Sequence, residues 1–290
     1  MAELIIYKKR LISNLKKIRE YSSNNIYVLK ANAYGMGIEN IAKILLEEGE
    51  NFFAVSNIEE ALKIRKLDAK CRIMILGDVD KKDLKLVKKY TFEPTLFSEK
   101  QIKKYKDIAV HLSFNTGLNR LGFDKLVDFP KILSVYSHIS DAFNEKRVKE
   151  QIERFEAFAR HYPNIPKHLF STETLLKYGK KYEYCRIGMG LYGFNEGFLK
   201  VAYLKVKVLQ QRLVKKGEYI FYGSSNKAKK DMQIAILELG YKDINIQNAC
   251  MDMMYMPIDK KLADYVYIDI QSEKQLASLS TLIKRRIIDK

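Results

Sequence analysis

The 290 residues contain no tryptophan and only three cysteines, Cys71, Cys185 and Cys250. Thiols that are odd in number and far apart exclude a disulfide framework and offer no zinc-ligand spacing. No apolar run is long enough to cross a membrane. The opening "MAELIIYKKRL" has too short an apolar stretch for a secretory leader and no cleavage pattern. Internal repeats, low-complexity linkers, an arginine-rich arm and an aromatic RNA-binding motif are all missing from the sequence. These absences point to a cytoplasmic globular protein, long enough for one large domain or two smaller ones.

What the chain has in excess is positive charge. Lysine and arginine number 52 against 35 acidic residues, a formal net charge of +17. The basic residues are spread over helical stretches such as "KKDLKLVKKY", where a solvated face explains them, and this spread argues against a nucleic-acid surface. A field of that sign does attract small anions, phosphorylated ones included.

Short apolar runs alternate with helical patterns as far as residue 200. The strand candidates are "IYVLK", "FFAVS", "RIMILG", "FEPTLF", "IAVHLSFN", "SVYSHIS", "KHLFST" and "YCRIGMGLYG". Helix-like segments with apolar spacings of three and four separate them, for example "IENIAKILLEEG". Eight such units predict a parallel (β/α)8 barrel of the TIM type over residues 1–200. The amphipathic segment from Lys8 to Glu20 precedes these strands and is placed to complete the ring of helices. Beyond residue 200 the texture turns strand-like, with a Lys-Lys-Gly turn, and predicts a smaller, mainly β domain over residues 201–290.

Barrel enzymes build their sites at the carboxyl ends of the strands. Lys30, Asn115, His138, Thr172 and Arg186 all fall at or just after the ends of different predicted strands. Lys30 ends the buried-looking "IYVLK" and opens "ANAYGMG". A lysine there either snorkels to the rim or is partly desolvated, with its amine free to attack a carbonyl. Taken singly, Arg186 also fits an ion pair, His138 a structural histidine and Tyr222 a packed strand tyrosine. "GMGLYG" satisfies G-x-G-x-x-G, but it lies late in the chain and strand-like sequence follows it, so a dinucleotide fingerprint is excluded while a phosphate cradle is not.

"VLKANAYGMG" resembles the pyridoxal-phosphate attachment motif of the alanine racemase family. "HLSFNTGLNRLGF", "VYSHIS", "RIGMGLYGF", "YGSSNKA", "ELGYKD" and "CMDMMYM" continue the resemblance in the family's order. It implies a pyridoxal 5'-phosphate enzyme, a homodimer that racemises alanine for cell-wall precursor supply. Lys30 then corresponds to the cofactor-bearing lysine and one catalytic base, and Tyr222 to the second base, acting in the partner's site. Arg186 corresponds to the residue facing the pyridine nitrogen, and His138 to the histidine against the cofactor ring. Tyr34, Thr172, Gly188 and Met189 correspond to phosphate contacts, with Thr172 in place of a serine. Arg120 and Met251 correspond to substrate-side residues.

The chain departs from the family at two places. Ser113 stands where many relatives carry a carbamylated lysine, and Asn115 where an aspartate is usual, which leaves room for a chloride beside Arg120. Only "INIQNA" separates "GYKD" from "CMD", so a reduced β domain is expected. A racemase of other or broader specificity and a non-catalytic cofactor carrier are the rival readings. The single-barrel carriers lack a β domain and any counterpart of Tyr222.

Overall fold

The computed structural model describes residues 2–223, 226–247 and 249–290. Strand Glu3–Tyr7 (β1) leads directly into the amphipathic helix Lys8–Tyr21 (α1). Eight strands then follow: Asn25–Val28 (β2), Phe52–Val55 (β3), Arg72–Ile75 (β4) and Glu93–Leu96 (β5). Val110–Ser113 (β6), Ile132–Tyr136 (β7), Lys167–His168 (β8) and Cys185–Ile187 (β9) complete the set. They pair in parallel in the order β8-β7-β6-β5-β4-β3-β2-β9. The Tyr184 N–H donates to the Lys167 carbonyl (3.2 Å) and the Arg186 N–H to the Phe170 carbonyl (2.9 Å), so the ring is nearly closed.

Every residue of β2, β3 and β6 is buried. Such strands are covered on both faces, by the barrel interior and by the helices outside, which is why they read as continuous apolar runs. From Leu11 on, the first helix belongs to the barrel unit and buries Leu11, Asn14, Leu15 and Ile18. Buried Asn14 donates to the carbonyls of Leu191 (3.2 Å) and Leu199 (2.8 Å) and accepts from the Leu199 N–H (2.8 Å). Those three bonds tie the helix to the chain that leaves β9.

The second sheet uses Ala202–Val214 (β10), Met232–Leu237 (β11), Met254–Ile258 (β12), Tyr265–Asp269 (β13) and Lys284–Ile288 (β14). Its order is β12-β11-β10-β1-β14, with β13 also on β10. β10 is 13 residues long, so its first half pairs with β1 and β13 and its second half with β11, after a register shift at Val208/Gln210. By contact the chain forms two compact units: residues 11–33 with 38–199, and residues 1–10, 34–37 and 200–290. β1 is thus part of the second sheet. The sequence pattern did not single it out, because its partners lie about 200 and about 280 residues away, at Ala202–Lys205 and Lys284–Ile288. No helix among the described residues is long and apolar enough to cross a membrane.

Candidate active site

Lys30 lies two residues beyond β2, and the backbone after it is unusual. Ala31, Asn32, Ala33 and Tyr34 all have φ between 54° and 56°, one turn of left-handed helix built without glycine. Such a conformation costs roughly 1–2 kcal/mol per residue, so neighbouring groups must hold it. The Asn32 N–H donates to Glu60 Oε1 (2.8 Å), while Glu60 Oε2 accepts from the Ser56 N–H (2.9 Å). Asn32 Oδ1 accepts from the Ile38 N–H (3.0 Å), and the Ala33 N–H reaches the Leu29 carbonyl (2.8 Å). The turn sets Lys30 half-buried at the strand end. Burial lowers the pKa of its amine, the Arg120 and Arg186 guanidinium groups push the same way, and Glu60 opposes them.

Arg186, on β9, is 6% exposed. Its Nη1 donates to His168 Nδ1 (2.6 Å) and the His168 carbonyl (3.0 Å). Its Nη2 donates to the Ser137 carbonyl (2.6 Å) and to His138 Nδ1 (3.0 Å). Among the described residues no carboxylate forms an ion pair with it. Burial pushes its pKa down to about 10, which still leaves it protonated at neutral pH. His138 is held neutral: burial first, then Arg186, Arg120 and Lys30, push its pKa down to about 3.

Thr172 and the turn after β9 are also brought together. The Gly188 N–H donates to Thr172 Oγ1 at 3.1 Å. A Cβ on Gly190 would stand 2.5 Å from Thr172 Cγ2, so only glycine fits that approach. The Met189 carbonyl accepts the N–H groups of Tyr192 (3.2 Å) and Phe194 (3.1 Å), which winds the chain tightly beside Thr172. Lys30, His138, Thr172, Arg186 and Gly188 therefore share the carboxyl end of the barrel. Arg120 joins them electrostatically, as its effect on Lys30, His138 and Arg186 shows. Its side chain makes no ion pair among the described residues. Asn115 is occupied elsewhere, donating to Asn119 Oδ1 (3.0 Å) and Asp124 Oδ1 (2.9 Å).

The remaining expected residues belong to the other compact unit. Tyr34 is half-buried there, and burial, followed by Glu273, raises its pKa to about 12. The adjoining Gly35 carbonyl accepts from Arg285 Nε at 2.8 Å. Tyr222 is 82% exposed. It sits at a tip fixed by the Ile220 N–H to the Asn226 carbonyl (2.9 Å) and by Phe221, whose ring meets Tyr255 edge-on at 5.6 Å. Ser224 and Ser225 of the same motif lie outside the described residues. Met251 is exposed, and its carbonyl accepts the Lys242 N–H at 3.1 Å.

Sequence reasoning missed Glu60 and a buried set made of Glu93, His111, Ser134 and His168. A signal for the latter was present. The chain has four histidines, and three of them, His111 and His168 included, fall inside strand candidates, where an unpartnered imidazole would be costly.

The family model for the amino-terminal domain of alanine racemase matches residues 6–196, and that for its carboxyl-terminal domain matches residues 201–283. The alanine racemase of Aquifex pyrophilus is 33% identical over 257 residues, covering 83% of this chain and 74% of that protein. A serine/alanine racemase of Enterococcus gallinarum is 30% identical, covering 81% of this chain and 39% of its own length. Among solved structures, the alanine racemase of Bartonella henselae with covalently bound pyridoxal phosphate superposes with a TM-score of 0.86. It is 22% identical, and the match covers 99% of each chain.

Proposed function

Because the chain belongs to the alanine racemase family, we propose that it interconverts L- and D-alanine with pyridoxal 5'-phosphate, as a homodimer supplying cell-wall precursors in the cytoplasm. The donor set of the barrel mouth fits that cofactor. Lys30 offers a partly desolvated amine, and two guanidinium groups act on it, so the site favours a phosphorylated anion. Thr172 and the Gly188–Met189 turn would hold the phosphate together with Tyr34, and His138 and Arg186 would face the ring. When bound, the cofactor supplies electron withdrawal from the amino acid's α-carbon.

The chain's own residues supply the rest. Lys30 is one proton carrier, and its lowered pKa brings the free amine closer to neutral pH. Tyr222 is the other, working on the opposite face of a partner subunit's site. Its phenol is exposed at an anchored tip of the isolated chain, a placement that suits a group completed by a second subunit. Arg186 only donates hydrogen bonds and keeps its proton. Facing the ring nitrogen, it would donate a hydrogen bond and would give that nitrogen no proton. Arg120 would take the substrate carboxylate, with a chloride beside it where Ser113 cannot provide an anion, and the Met251 backbone would lie near the substrate. The observation that carries the proposal is Lys30 at the end of β2, beside two guanidinium groups.

A racemase of wider specificity remains the second reading, favoured by the kinship with a serine/alanine racemase. One experiment addresses both mechanism and assembly. Borohydride should fix the cofactor to the peptide containing Lys30. Mixed Lys30→Ala and Tyr222→Phe subunits should regain roughly a quarter of wild-type sites after full exchange, because one site of each mixed dimer carries neither change. A label on another lysine rejects Lys30, and no rescue despite proven exchange rejects the cross-subunit role of Tyr222. Assaying serine and other amino acids beside alanine separates the two specificities.

A further inference from the structure

A chain of buried hydrogen bonds runs from Arg186 on β9 through β8, β7 and β6 to Glu93 at the start of β5. Arg186 Nη1 meets His168 Nδ1 at 2.6 Å, and His168 Nε2 meets Ser134 Oγ at 2.7 Å. Ser134 Oγ then meets His111 Nδ1 at 2.6 Å, and His111 Nε2 meets Glu93 Oε2 at 2.8 Å. His111, His168 and Ser134 are at most 1% exposed. Glu93 is itself clasped by Arg72, whose Nε and Nη2 donate to its two oxygens at 2.9 Å each.

The chemistry of the two ends fixes the direction of every bond between them. A guanidinium can only donate, so His168 Nδ1 carries no proton and its Nε2 does. That Nε2–H donates to Ser134, whose single hydroxyl proton is then left for His111 Nδ1. His111 must therefore carry its proton on Nε2 and give it to the carboxylate, which can only accept. No second arrangement of neutral imidazoles satisfies all four links. Reversing one link would put two donors or two bare acceptors face to face in a site without water access, where each unsatisfied group costs about 1–3 kcal/mol.

We propose that Glu93 is a remote positioning residue for Arg186, acting through a one-way relay of His111, Ser134 and His168 whose tautomers it fixes. The relay moves no proton. It aligns four hydrogen bonds with the buried guanidinium at one end and a carboxylate at the other, and such chains strengthen by mutual polarisation. Two titration shifts agree with it. His168 is held neutral, well below its ordinary range, by burial and then by Arg186. Burial would push the Glu93 carboxyl up, but the hydrogen bonds from His111 and Arg72 outweigh it and hold the pKa at about 2.

The role in catalysis rests on the racemase reading, whereas the tautomers do not. Long-range proton–nitrogen NMR on the full chain with labelled histidine, before and after loading with pyridoxal phosphate, reads each imidazole directly. His111 and His168 should both be neutral and protonated on Nε2 near neutral pH, with exposed His161 as the solvent-facing reference signal. A proton on Nδ1 of either one, or a doubly protonated ring, overturns the relay whatever the activity. Ser134→Ala then cuts the chain without adding volume. The His168 Nε2–H resonance should move upfield, and kcat should fall about tenfold, equal to about 1.4 kcal/mol, while KM stays within about twofold. An unmoved His168 resonance and an unchanged kcat in a folded Ser134→Ala protein overturn the proposal.

Discussion

Replacing His138 by glutamine removes an imidazole whose pKa is pushed from 6.5 down to about 3, by burial first and by three nearby cations second. Between those two values the unfolded chain binds a proton that the folded chain does not. Stability therefore falls as the pH drops from 6.5 towards 3. At about pH 5 the difference amounts to roughly 1.5 units, or about 2 kcal/mol, from this one residue. Carboxylates do not confuse the window. Glu93, for example, moves from 4.5 to about 2, so its stabilisation is complete above 4.5 and is lost only below that. His111 and His168 are shifted in the same direction, so the wild-type loss exceeds the share of His138. Glutamine can still accept from Arg186 through its carbonyl, which limits other damage. The assay is urea unfolding of the cofactor-free chain, followed by far-UV circular dichroism at about pH 7 and about pH 5. His138→Gln should lose about 2 kcal/mol less than wild type between the two. Equal losses would refute the burial of a neutral imidazole at this position.

The turn after Lys30 and the anion beside Arg120 give two more tests. Glu60→Ala strips the acceptors from two backbone N–H groups and releases a four-residue left-handed turn. It should cost about 2–4 kcal/mol in urea unfolding and slow borohydride-trapped loading of pyridoxal phosphate, whereas loading at the wild-type rate would show that the turn holds itself. Racemisation should rise from chloride-free buffer to moderate chloride and ignore added carbon dioxide, because Ser113 has no amine to carbamylate. A flat chloride response removes the bound anion from the account.

The barrel was legible because its strands carry their signal locally. "FFAV" and "RIMI" are buried through nearly all their length and read as apolar runs, and α1 carries its amphipathic spacing within 14 residues. β1 was not legible, since "LIIY" becomes a strand only by pairing with β10 and β14. Nor was the left-handed turn. Nothing in "ANAY" asks for positive φ, and the residue that secures it, Glu60, lies on a helix 28 positions away from Asn32. Resemblance marked Lys30, Arg186 and Thr172, but it could not supply the bonds that orient them. The Glu93-to-Arg186 chain draws one residue from each of β5, β6, β7, β8 and β9. β5 to β8 are neighbours in the sheet, but only ring closure brings β9 beside β8, and no spacing in the sequence encodes it.

The two acids near this machinery explain how a site with so little negative charge persists. Neither is spent on neutralising Lys30, Arg120 or Arg186 by direct pairing. Glu60 uses both oxygens on backbone N–H groups, and Glu93 uses its own on Arg72 and His111. Carboxylates placed beside the cations would raise stability and would compete with any anion for the same donors. Holding them one shell back leaves the amine and the guanidinium groups available while still fixing their positions. The uncompensated charge is then a cost to the fold that a bound anion would offset. That division separates structural acids from ligand-facing cations. It is the physical reason Lys30 sits at a strand end and not on a solvated helix face.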